Sequence, residues 1–166
     1  MTANEVRTHI RYSGWASRKL LEAARTIPSE DLTRACGISH GSLHGTLAHI
    51  YEADTIWYIR TVDSAEPLIR DADFATVQAR WPALQGKWEA WADGLTDHDT
   101  QRVVDYKLMN GSPGSTPLGQ IVLHVVNHAT LHRGQAMGML RQMGVEPPHT
   151  DLIYYYRELG ASAAHQ

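Results

Sequence analysis

The longest apolar-periodic stretch of the chain, from Thr116 to about Met143, carries His124, His128 and His132 at successive four-residue steps. In a helix of about 3.6 residues per turn each step drifts only about 40° around the axis, so the three imidazoles form one stripe. Thr116 as cap and Pro117 at the first helical position begin this helix, and Gly144 with Pro147-Pro148 ends it. A segment this long must cover its apolar face with other helices, and the rest of the chain supplies them.

Val6, Ile10, Trp15, Leu20, Leu21 and Ala24 recur at helical spacing between Asn4 and about Thr26, where Ile27-Pro28-Ser29 stops the run. Residues 28–41 are polar and broken by glycine, as a connection would be. A second helix starts near Ser42 and runs through Leu47, Ile50 and Trp57 to about Thr61, with His49 near its buried side. After a loop over residues 63–70, Val77, Trp81, Leu84, Trp88, Trp91 and Leu95 define a third helix from Phe74 to Leu95, begun or kinked at Pro82. Its tryptophans read as a packing stripe. Residues 99–116 alternate briefly and then reach Asn110-Gly111-Ser112-Pro113-Gly114, dense turn chemistry. An irregular crossover with a small hairpin is expected there, placed to act as a lid or wall over a site. Thr150-Asp151 caps a last short helix ending at Gly160.

The expected fold is therefore all-α: a four-helix bundle with a long crossover before the fourth helix and a short C-terminal helix, one domain over residues 1–166. A chain of 166 residues buries a core without disulfides or a structural metal. The single cysteine, Cys36, forms no intrachain bridge and has no base beside it in sequence. The net charge of −3 comes from acids and bases spread along the chain, which argues against nucleic-acid binding. No apolar run reaches membrane-spanning length and the N-terminus lacks a signal-type core, so a soluble cytoplasmic protein is expected.

The stripe has two readings. Histidines at i, i+4 are often half-buried core residues bonded to backbone or water. If His49 faces the stripe across the bundle, two imidazoles from one helix and one from another make a three-nitrogen metal site with an open position. Neutral imidazole suits zinc, nickel, copper or iron(II), and such an ion lowers the pKa of bound water or thiol. Ala129 and Val125 follow His128 and His124, so the glutamate of a zinc-peptidase motif is absent. Glu52, three residues after His49, is either a base for the site or a surface ion-pair partner.

The run His124-Val125-Val126-Asn127-His128-Ala129-Thr130-Leu131-His132-Arg133-Gly134-Gln135 resembles the signature of the DinB family, the DNA-damage-inducible, YfiT-like metalloenzymes. Met139-Leu140-Arg141-Gln142-Met143-Gly144, Pro147-Pro148-His149-Thr150-Asp151-Leu152-Ile153, Tyr12-Ser13-Gly14-Trp15 and Gly41-Ser42-Leu43-His44-Gly45-Thr46-Leu47-Ala48-His49-Ile50 resemble it too, in order along nearly the whole chain. The resemblance implies a metal, zinc or nickel, bound by His49, His128 and His132, with other positions open to water. His124 then stands behind the ligands, although spacing alone leaves it as a candidate in place of His132. Arg133 and Gln135 are implied to orient the last ligand or a neighbouring helix, and Gly134 to permit close helix approach.

The resemblance also implies a homodimer, and some members of that family are transferases or isomerases that use a low-molecular-weight thiol. The implied function is a metal-dependent enzyme, a thiol S-transferase or hydrolase-like activity on a small-molecule substrate, linked to stress or DNA damage, in which a metal-bound water or thiolate is the nucleophile. The alternative is a non-catalytic dimeric metal-binding stress-response protein. His9, His98 and His165 are expected to take no part.

Overall fold

The structure is a computed structural model that describes residues 1–38 and 40–163, with side chains through residue 161. His165 lies outside the described residues. Four long helices, α1 (Ala3–Ala24), α3 (Leu43–Val62), α4 (Phe74–Asp93) and α5 (Leu118–Gln142), form the bundle. A single turn, α2 (Ser29–Leu32), follows α1, and α6 (Leu152–Ala163) closes the described chain.

Local chemistry sets the ends. Thr2 caps α1 in a reciprocal box: the Glu5 amide donates to Thr2 Oγ1 (3.2 Å) and the Thr2 amide to Glu5 Oε2 (2.7 Å). Ser42 Oγ accepts from the Gly45 amide (3.0 Å) at the start of α3, and Asp73 Oδ1 from the Thr76 amide (2.8 Å) at the start of α4. Gly144 takes a left-handed φ of 78° just past α5, a conformation glycine adopts without strain. The last helix runs past Gly160, and α4 continues through Pro82.

Around the core, α1 packs on α4 and α5, while α3 packs on α5 and α4. Thus α1 and α3 face each other across a diagonal, and so do α4 and α5. Consecutive long helices are adjacent only at α3–α4, and two connections cross an end of the bundle. The crossover before α5 was expected from sequence; the one over residues 25–42 was not. Val6, Leu20, Leu47, Ile50, Val77, Trp81, Val122, Ala129 and Leu140 are fully buried between the four helices, and each large side chain among them contributes about 1.5–3 kcal/mol.

The second crossover holds a short 3-10 turn (Asp99–Gln101) and an antiparallel hairpin, β1 (Val103–Lys107) and β2 (Pro113–Pro117), with Val104 opposite Thr116. That pairing changes the start of the histidine helix. Thr116 belongs to the ladder, its hydroxyl bonded to the Tyr106 hydroxyl (3.0 Å), and the helix begins at Leu118 after Pro117. Among the described residues no helix is long and apolar enough to cross a membrane.

Candidate metal centre

Because α3 and α5 are neighbours, His49 and the stripe meet at one edge of the bundle. His49 Nε2 lies 3.1 Å from His128 Nε2. The His132 ring stands 4.6 Å from that of His49 and 4.5 Å from that of His128, edge to face in both cases. A fourth imidazole, His40, comes from the loop before α3 and stacks on His49 at 3.6 Å with the planes 17° apart. Nitrogens of His40, His49 and His132 lie within 4.8 Å of one another, a group that could hold a metal ion; His128 joins it through His49. His40 was not expected, because a loop residue has no period to mark it.

His124 occupies the outer end of the stripe. It is exposed, with its ring edge to face with Trp57 at 5.1 Å and 5.8 Å from His128. His9 and His98 belong to other parts of the fold, the first in α1 and the second beside the 3-10 turn.

The rings are set from behind. Gln135 Oε1 lies 2.7 Å from His132 Nδ1, which donates to it, so Nε2 is the ring nitrogen left to face a ligand. Arg133, the next residue after His132, points the other way and is 1% exposed. Its guanidinium donates to Ser13 Oγ (3.2 Å), Ser17 Oγ (3.3 Å) and Thr130 Oγ1 (2.8 Å). Those bonds fix the rotation of α5 against α1, and so the direction in which His128 and His132 project. Gly134, in contrast, is exposed with nothing within 4 Å of where a Cβ would stand, so no close helix approach depends on it.

Burial, together with the neighbouring imidazoles, disfavours a charged ring here. Desolvation first, then His40 and His132, lower His49 from 6.5 to about 4. Desolvation and then His132, His49, His124 and His40 bring His128 to about 4 as well. Partial desolvation and then His132 lower His40, opposed by the Glu52 carboxylate. Near neutral pH His49 and His128 are uncharged, the form that binds a metal. Their 3.1 Å nitrogen separation is close to the roughly 3.3 Å between two ligand nitrogens at a tetrahedral zinc. The residues present fit an imidazole-bound ion.

A cleft of about 280 Å³ opens beside the rings, bordered by His40, His44, His49, Glu52, Asp71 and Ala72. Glu52 is half-buried and paired with Arg70 (3.6 Å), and His44 Nε2 meets the Ala72 carbonyl oxygen (2.9 Å). The wall nearest the cluster is thus the α3–α4 loop. The hairpin, expected as the lid, instead packs farther along α3, where Tyr106 meets Trp57 edge to face at 5.1 Å.

One further buried group lies behind the site. Asp54 accepts from Trp81 Nε1 (2.8 Å), and its backbone carbonyl accepts from Trp88 Nε1 (3.3 Å), which gives the tryptophan stripe of α4 its packing role.

A helical bundle in which imidazoles from two non-consecutive helices converge at one edge defines a class of histidine-centre bundle proteins. Within it, the chain belongs to the DinB family, whose model matches residues 1–160. It is similar to Protein DinB of Bacillus subtilis (strain 168), 24% identical over 153 residues that cover 87% of this chain and 89% of that one. Its fold is similar to the crystal structure of a DinB-like protein from Bacillus cereus ATCC 10987, with a TM-score of 0.68 at 21% identity, covering 89% of this chain and 97% of that one.

Proposed function

We propose that the protein is a metal-dependent enzyme in which His49, His128 and His132 hold a zinc or nickel ion and the adjoining cleft receives a small substrate, a low-molecular-weight thiol or its electrophilic partner. The observation that carries this reading is a cluster of imidazoles, with His49 and His128 neutral, beside a cleft of about 280 Å³ that His40 and His49 border, room for a small molecule and more than a purely structural site requires. When bound, the ion would act as a Lewis acid and lower the pKa of a coordinated thiol.

The chain's own groups have defined parts in this scheme. Gln135 keeps the His132 Nε2 lone pair directed at the site, and Arg133 sets the angle of α5. Glu52, at the cleft wall, is placed to take a proton from an incoming thiol once its pairing with Arg70 loosens. The reading includes a cytoplasmic, stress-linked role and a homodimer. The exposed Leu131 on α5 and the exposed Ile153 and Leu159 on α6 are apolar groups a partner could cover; a monomer by light scattering would remove that part.

The test is elemental analysis of protein purified without a histidine tag, wild type beside His128→Ala. About one ion per chain, lost in the variant, is expected. No ion in either, even after zinc or nickel is added, would return the stripe to core packing.

A further inference from the structure

Of the four imidazoles at the bundle edge, three stand on helices and one does not. His40 lies on the loop that turns into α3, and it is exposed where His49, His128 and His132 are half-buried. Even so, its nitrogens fall within 4.8 Å of those of His49 and His132, with its ring flat against the His49 ring. Holding an exposed loop side chain in one place costs conformational entropy, and here the stack on His49 offsets it.

Two features of the loop hold it there. Its turn is closed by backbone bonds, the Cys36 amide to the Gly41 carbonyl oxygen (2.9 Å) and the Gly41 amide to the Ile38 carbonyl oxygen (3.1 Å), with Gly41 at a left-handed φ of 81°. The first turn of α3 also makes room for it: a Cβ on Gly45 would stand 2.3 Å from the His40 carbonyl oxygen, far inside contact distance. Any other residue at position 45 would push the His40 backbone off α3 and its ring off the cluster.

We propose that His40 is a fourth imidazole ligand of the ion held by His49, His128 and His132, and that it is the ligand displaced when substrate enters the cleft. This rests on the metal-centre reading above and adds to it a closed resting state with a loop-borne, dissociable ligand. Parallel rings cannot both aim in-plane lone pairs at one point, so the His40 ring tilts out of its stack when it coordinates. The helix-borne ligands move only with their helices, whereas His40 moves with a short loop. It also borders the cleft, so its departure widens the path to the ion.

The test uses the full-length protein without a tag, in a Cys36→Ser background so that His40→Cys introduces the sole thiol. Wild type, His40→Ala and His40→Cys are loaded with Co²⁺, and zinc affinity is measured by competition with a chromophoric chelator. The expected results are a zinc affinity at least roughly 10- to 100-fold weaker for His40→Ala, the loss of a residue that merely supports a ligand setting the lower bound, and a change in the cobalt visible spectrum as water replaces imidazole. His40→Cys should gain a near-ultraviolet sulfur-to-cobalt charge-transfer band. Titration with 2-mercaptoethanol should saturate at a lower concentration in His40→Ala than in wild type, which must first release His40.

Equal affinities, equal spectra and equal thiol titrations for wild type and His40→Ala, with no new band in His40→Cys, overturn the proposal while leaving the three-histidine site intact. If wild type takes up neither cobalt nor zinc, the metal-centre reading falls and this proposal with it. His40 is exposed, so circular dichroism of the variants should match wild type.

Discussion

Zinc binding at pH 5.5 should release few protons. An imidazole must be neutral to coordinate, so each charged ligand gives up its proton on binding. At the ordinary value of about 6.5, a histidine at this pH is about nine-tenths protonated, and three such ligands would release about 2.7 protons per ion, four about 3.6. In this protein burial, followed by the neighbouring imidazoles, holds His49 and His128 at about 4, so together those two release less than about a tenth of a proton. A site of His49, His128 and His132 can then release at most one proton, and with His40 included at most two. Calorimetric titration of zinc into tag-free protein, repeated in buffers of different ionisation enthalpy, gives the count directly. More than two protons per ion would refute the argument that the bundle edge keeps these rings neutral before metal arrives.

Two more perturbations report on the groups behind the site. Burial raises the fully enclosed Asp54 carboxyl from 3.8 to about 6, against the opposing Trp81 hydrogen bond and Arg133 charge, so its contribution to stability is complete below 3.8 and lost as pH rises through about 6. Asp54→Asn keeps an acceptor for Trp81 and should gain stability over wild type in urea unfolding, from under about 1 kcal/mol near pH 4 to about 3 kcal/mol at pH 7; a difference that does not change with pH would count against it. Arg133→Ala leaves a cavity and the hydroxyls of Ser13, Ser17 and Thr130 without their donor, and should cost about 3 kcal/mol or more in the same assay. A loss below about 1 kcal/mol would mean that the guanidinium does not set the position of α5.

What could be read from sequence depended on periodicity and on punctuation. The stripe on α5, the placing of His49 on α3, the start of α3 near Ser42 and the Gly144 stop are local signals, and local signals survive in the fold. The diagonal placement of α1 and α3 is not local, since the 25–42 connection carries no residue that states which way it crosses. Thr116 has the side chain of a good cap but was claimed by the ladder with β1, a tertiary pairing that overrides propensity. His40 carries no periodic signal, because proximity, not spacing, joins it to the other rings. The only trace it left in sequence is the glycine at position 45, whose need becomes evident only when the His40 carbonyl is seen against it. The family resemblance named three histidines by motif and could not name a fourth that lies in none.

The neighbouring placement of α3 and α5 has a consequence for folding as well as for chemistry. His49 and His128 are 79 residues apart in the chain, and between them lie the whole of α4 and the hairpin crossover. An ion shared by those two rings would hold together parts of the chain that part on unfolding, and, binding only the folded form, it would raise stability with the logarithm of its concentration. In a protein whose one thiol cannot make a bridge, metal supply would then set resistance to unfolding. The fourth long helix, α5, would then be tied to the second, α3, by whatever ion the two rings share.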